Sequence, residues 1–369
     1  MRSSKKVLTK GYGSQTPMAC ALMVLVFLLV LPSSGMGASK PTTVAELALY
    51  QGPDKEQILI EGAKKEGKVA FYVSNTWVKK VAEQDFVKKY PFLKVEVWRA
   101  PAPENLKRVM EESRAKRYIM DVIESSYAIV AILARDAILQ EFDSPEMRVY
   151  PEEAMQKGEK GVSFCANREI YPSLGFNTKL IKSAEAPKNY DDLLDPKWKG
   201  KMSICGTETG VNWIGNVMET KGLGRDYIDK LMRQNVRVQN VSGIAMANLV
   251  VSGEVPLSPT IYNSSIFEAK QTGAPVEWYP LVPVYAHVSY SGIAAKSPHP
   301  HAAMLLLNYI FSKEGQETFM KGGLSSARTD IGSTETKFKK NYLESHFPLD
   351  VFERKVAEWE DLVRLFIKR

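Results

Sequence analysis

The chain has 369 residues, with 49 Lys and Arg against 42 Asp and Glu and a formal net charge of +7. Four of the cations, Arg2, Lys5, Lys6 and Lys10, fall in the first ten residues, so the remainder carries only +3. A surface so evenly mixed argues against a nucleic-acid partner, and the length suits two lobes of ordinary domain size.

Residues 1–38 hold those four cations and no acidic residue, then an apolar run from Met18 to Leu31 and small residues around Gly35-Met36-Gly37-Ala38. This order of basic, apolar and small segments predicts a secretory signal peptide, since the run is short for a membrane span. Cys20 stands at the front of the run and not after it, so lipidation is not expected. Export implies a periplasmic protein. Two cysteines remain beyond residue 38, Cys165 and Cys205. The exported compartment permits a disulfide between them, and two buried thiols are the other reading.

Residues 42–65 read as helix, break and helix around Gly52-Pro53. A strand from Val69 to Val73 follows, and Ser74-Asn75-Thr76 can cap the next helix, which ends near Tyr90-Pro91. A second strand spans Leu93 to Trp98, a helix Glu104 to Lys116, and a third strand Met120 to Ile123. That strand runs into Glu124-Ser125-Ser126 and a further helix from Tyr127. Alternating strands and helices predict an α/β fold with a parallel sheet. Ligands of such sheets bind beyond the carboxyl ends of the strands, which makes Ser74, Asn75, Thr76, Ser125 and Ser126 candidate cleft residues.

From Gly161 to Asn177 the pattern is strand-like, with Pro172 where the chain can cross between lobes. Asp191 to Met202 (Asp-Asp-Leu-Leu-Asp-Pro-Lys-Trp-Lys-Gly-Lys-Met) reads as a short helix, a stop at Pro196, a basic turn and a strand. That strand ends in Gly206-Thr-Glu-Thr-Gly210, where Thr207, Thr209 and then Asn212 lie at a helix start. Val255 to Ile261 delivers Tyr262-Asn263-Ser264-Ser265, and Tyr285 to Ala294 is a second β-rich crossing segment. Phe352, Val356, Trp359, Val363 and Phe366 mark an amphipathic tail helix, expected to clamp back on the first lobe. The expected division is 39–168 plus 290–369 for lobe I with the C-terminal helices, and 169–289 for lobe II.

Four blocks together resemble bacterial ABC-transporter solute-binding proteins of the iron, phosphonate and polyamine type. They are Glu61 to Tyr72, Met120-Asp121-Val122 with its serines, Asp191 to Met202, and Gly273 to Glu277 followed by Ser297 to Ala303 and Phe311 to Gln316. The resemblance implies a two-lobed type 2 periplasmic-binding fold with two crossing hinge strands. It also implies a small-molecule solute held between the lobes, an ABC permease in the inner membrane as partner, a monomer, no enzyme activity and no cofactor. Ferric relatives use adjacent tyrosines, where this chain has Tyr262-Asn263, no His in the first loop, and Ser126 with Glu124 nearby.

Hydroxyls, amides and helix starts favour a small oxyanion or carboxylate, with Arg328 a candidate bidentate clamp or a surface arginine. Thiamine-like or polyamine cargo would call on Glu124, Glu208, Trp77 and Trp213. No catalytic or metal-binding residue is expected. The alternatives are ferric-ion binding, a secreted hydrolase working through carboxylates, and a partner that signals to a membrane sensor.

Overall fold

The computed structural model describes residues 41–332 and 337–367; the expected signal peptide lies outside them. Strands β1 (Lys68–Val73), β2 (Lys94–Arg99) and β3 (Val122–Ser126) come first. They are followed by β4 (Leu139–Gln140), β5 (Met155–Lys157), β6 (Val162–Ile170) and β7 (Pro172–Asn177). The later strands are β8 (Ser203–Cys205), β9 (Arg237–Gln239), β10 (Leu257–Tyr262) and β11 (Val276–Tyr279). Then come β12 (Val284–Tyr285), β13 (His287–Ala294) and β14 (Lys340–Asn341).

The first sheet has the order β2-β1-β3-β13-β6-β5, with β4 paired to β13. β1 runs parallel to β2 and β3, as the alternating pattern requires. β13 enters antiparallel between β3 and β6. A second, antiparallel sheet is β10-β7-β11, and β8 pairs in parallel with β9. Only Tyr171 separates β6 from β7, and only Ala286 separates β12 from β13. The chain thus passes from the first sheet into the second through Tyr171, and returns from β11 by way of β12, which pairs with β14, into β13. This is the two-lobed type 2 periplasmic-binding fold with two crossing strands.

Each sheet has its own apolar core. Phe71, Val122, Ile123, Phe142, Phe164, Tyr290 and Leu306 belong to the first. Leu174, Phe176, Trp198, Ile204, Trp213 and Ile228 belong to the second. Trp198 is buried beneath its basic turn while Lys197, Lys199 and Lys201 stay exposed.

Asp121, fully buried, accepts from the Ala70 amide at 2.7 Å and the Ser297 hydroxyl at 2.6 Å, and also receives the His299 amide at 2.8 Å. It thereby fastens β1, β3 and the helix Pro300–Phe311 together. His301 instead contacts Glu66 at 2.6 Å, so the two histidines do not act as a pair.

Cys165 and Cys205 are both buried and free. They belong to different core clusters, so the disulfide the compartment would permit does not form.

The tail helix, Leu349–Ile367, corrects the expected division of the chain. Its Phe352, Trp359, Leu362, Val363 and Phe366 complete the second core and not the first. The reason is steric: a Cβ on Gly215 would lie 2.4 Å from the Trp359 ring, so glycine leaves the slot that Trp359 fills on the helix Glu208–Glu219. The start of the helix also touches the first lobe, where the Phe352 ring lies 6.2 Å from that of Tyr127. Trp359→Ala should therefore cost about 3–5 kcal/mol of unfolding free energy. Urea titration followed separately by Trp fluorescence and far-UV dichroism checks this, and a loss below about 1 kcal/mol would show the helix to be peripheral.

Candidate functional site

The carboxyl ends of β1 and β3 are tied together by Glu124, which is fully buried. One carboxylate oxygen accepts from the Ser74 amide at 2.7 Å, the Ser74 hydroxyl at 2.9 Å and the Asn75 amide at 3.3 Å. The other lies 3.3 Å from Arg168 Nη2. Asn75 Oδ1 caps the helix Thr76–Val81 by accepting from Trp77 and Val78. Ser74 and Asn75 are therefore largely engaged in holding the loop, while Thr76 is exposed at the helix start.

Strand register brings the next residues together. Ser126 pairs with Ser289 on β13, and Ser289 with Arg168 on β6. Paired residues point to the same face of a sheet, so the three side chains form a row at the carboxyl end of β3. Ser125 takes the other face, opposite Tyr290, and its hydroxyl has no partner among the described residues.

Arg168 is the informative member of the row. It is 5% exposed, yet its Nε and Nη1 have no hydrogen-bond partner among the described residues. A buried guanidinium with unsatisfied donors is costly unless an acceptor arrives to meet them.

The second lobe faces this row with the start of the helix Glu208–Glu219 and the end of β10. Thr207 donates to the Val241 carbonyl at 3.0 Å, and Thr209 Oγ1 lies 3.1 Å from the Tyr262 hydroxyl. A Cβ at Gly243 would come within 2.8 Å of the Tyr262 ring, so glycine is what lets that ring sit here. Asn212 is buried one turn along the helix.

The Tyr262 ring centroid is 5.9 Å from that of His287 on the crossing strand β13. Asn263, beside Tyr262, accepts from the Tyr171 amide at 2.9 Å and donates to Ser325 Oγ at 3.1 Å. It thereby pins the crossing point.

A third wall comes from the segment Leu343–His346. Glu344 Oε1 accepts from Tyr285 at 2.7 Å, and Tyr285 lies 3.4 Å from His287 Nδ1. Glu344 Oε2 is buried without a partner among the described residues. Burial raises this carboxyl to about 8, against the Tyr285 hydrogen bond and with help from the field of Glu208. Burial also lowers the His287 imidazole below its usual value, so the ring is neutral near pH 7; Glu208 and Glu124 oppose that shift and Arg168 adds to it. The Tyr262 phenol is raised, again chiefly by burial.

Arg328 stands apart from this cluster and corrects the expected anion clamp. Its guanidinium donates to both oxygens of Asp330 at 2.8 and 2.9 Å, to Glu146 at 2.8 Å and to the Phe311 carbonyl at 2.7 Å. Donors so fully occupied serve the first core and are not available to a solute. Trp213 is likewise core, at 1% exposure, and Trp77 lies under Lys80, 4.4 Å from the ring centroid.

Sequence reasoning missed Arg168, Ser289, His287, Tyr285 and Glu344. A signal existed for the first, which is a cation inside an otherwise apolar and polar strand that crosses between lobes. No group of three or more His, Cys, Asp or Glu suited to a metal ion occurs among the described residues. No helix among them is long and apolar enough to cross a membrane.

Comparison with known proteins follows the same lines. A family model described as "Bacterial extracellular solute-binding protein" matches residues 137–347. Iron-bound HitA from Pseudomonas aeruginosa superposes with a TM-score of 0.62 at 18% identity, covering 81% of this chain and 99% of that one. AfuA from Actinobacillus pleuropneumoniae, with exogenous fructose-6-phosphate bound, gives 0.62 at 21%, with the same coverage of 81% and 99%. The Trichodesmium protein IdiA (FutA), in complex with iron and citrate, gives 0.64 at 17%, again over 81% and 99%. At such identities these neighbours establish the fold, and one fold here accommodates unlike cargoes.

The raised Glu344 carboxyl has a measurable consequence. Its value is 4.5 when unperturbed and about 8 in the folded protein, so the folded state keeps the proton longer. The unfolded chain binds fewer protons between those values, and stability should fall as pH rises through that window. Glu344→Gln should flatten the decline between pH 5.5 and 8 in thermal melts. Parallel curves for variant and parent would place that titration elsewhere.

Proposed function

The chain belongs to the bacterial extracellular solute-binding proteins, and we propose that it captures a small solute bearing an anionic group between its two lobes. It works as a periplasmic monomer and delivers the solute to an ABC permease in the inner membrane. The observation that carries this reading is Arg168, buried at the crossing strand with two donors unmet.

An oxyanion or carboxylate bridging those donors would reach the hydroxyls of Ser126 and Ser289 on one lobe and of Thr209 and Tyr262 on the other. Closure needs contacts that exist only when the lobes meet, and a solute shared by both walls supplies them. In this assignment Ser74, Asn75 and Thr76 shape the first wall, Ser125 lies behind it, and Thr207 and Asn212 shape the second.

The second reading is ferric ion, favoured by the closeness of the Tyr262 phenol to His287 and by the field of Glu208 on both. Arg168 weighs against it, since a buried cation next to Fe(III) adds repulsion unless an anion comes too.

Thermal shift of ligand-stripped protein against carboxylates, phosphate, phosphonates and ferric ion tests the assignment, because a ligand specific to the folded state raises its melting point. Arg168→Gln should weaken binding of the active anion by roughly tenfold to a hundredfold, the value of a charge-assisted hydrogen bond. Arg328→Ala should do the reverse, leaving affinity unchanged while costing about 1–3 kcal/mol of stability, since the buried guanidinium's hydrogen bonds are lost but its carboxylates keep partial access to water. A shift with ferric ion alone, unaltered by Arg168→Gln, would transfer the site to the metal.

A further inference from the structure

Building on the cleft just described, we propose that the solute is a zwitterion. Its anionic head is held by Arg168, and an ammonium group at its other end is held by Glu208 and Glu344. The argument begins with charge balance. Arg168 is the one cation in the cluster described above, and it already faces Glu124 at 3.3 Å. Glu208 adds a second carboxylate from the opposite lobe, and its field reaches Tyr262, His287, Tyr285 and Glu344. A bare oxyanion would bring a third negative charge into a closing cleft that holds a single cation. A bare amine would leave the Arg168 donors unmet. A solute with both groups satisfies both ends.

The acidic end has the features of a site and not of a solvated face. Glu344 is 5% exposed, and while Oε1 takes the Tyr285 hydroxyl, Oε2 is buried with no partner among the described residues. Tyr285 orients the carboxyl and leaves Oε2 open on the other side, where an arriving ammonium would favour the ionised form and turn Oε2 into an acceptor. Glu208, at the start of its helix, makes no hydrogen bond or ion pair among the described residues, and it is exposed while Thr209 beside it is buried.

The rings nearby suit the same group. Tyr262 and Tyr285 flank His287 at centroid distances of 5.9 and 6.0 Å. Phenol faces attract an ammonium, and the neutral imidazole does not repel it. The walls therefore divide by charge: Arg168, Ser126 and Ser289 at one end, Glu208, Glu344 and the tyrosines at the other.

Titration calorimetry of the ligand-stripped protein with matched pairs tests this directly. The probes are glycine, β-alanine and 4-aminobutyrate against acetate, propionate and butyrate, and taurine against ethanesulfonate. At least one amino member should bind roughly tenfold or more tightly than its amine-free partner. Glu208→Gln, at an exposed position that does not threaten folding, should weaken the amino member and strengthen the amine-free one. Equal affinities within every pair, or a preference for the amine-free members, would overturn the zwitterion while leaving an anion site in place. Binding by none of the eight would overturn this inference, while the anion reading would stand or fall on phosphate and phosphonates in the thermal shift.

Discussion

The buried carboxylate of Glu124 is the interaction on which the site depends. Its three hydrogen bonds from Ser74 and Asn75 decide where the loop after β1 lies, and its ion pair decides where Arg168 points. A carboxylate with no exposed surface is stable only when its lone pairs are met, so it constrains whatever surrounds it. Loop, capped helix and crossing strand are thus fixed relative to one another before any solute arrives. That is preorganisation, and it spares the bound state the entropy of ordering its own anchor.

A comparable arrangement sits at the crossing point itself. Glu169, one residue beyond Arg168 and on the opposite face of β6, is fully buried. It receives the hydroxyls of Tyr171 and Tyr342 together with the Lys340 ammonium at 2.6 Å. Successive side chains of one strand therefore serve two tasks. Arg168 shares its face with Ser289 and Ser126, and Glu169 fastens the strand to the segment that carries β14. Alternation along a strand makes that division possible within two residues.

Much of the architecture was legible in the sequence because it rests on local rules. The strand–helix alternation from Val69 to Tyr127 appears as written, with Asn75 as the cap and Glu124 to Ser126 at the strand end. The block Asp191 to Met202 likewise resolves into two short helical turns around Pro196, then β8 just beyond Met202. What stayed hidden depends on partners distant in the chain. An amphipathic pattern tells which face of 349–367 is buried but not against what, and Gly215 settles that only in three dimensions. Arg328 and Arg168 look alike as letters. Four acceptors gathered by the fold around one, and two donors left open among the described residues on the other, separate a satisfied cation from one with donors to spare.

The position of β13 has a consequence for how the molecule comes together. It pairs Ile293 with Val122 and Ser291 with Cys165, so the first sheet is incomplete until residues synthesised long after β3 have arrived. Pairings between such distant positions fold slowly, because loop closure comes at an entropic cost before any contact forms. A chain whose central strand comes late remains unfolded, and able to pass through a narrow channel, for longer than one built from neighbouring pairs.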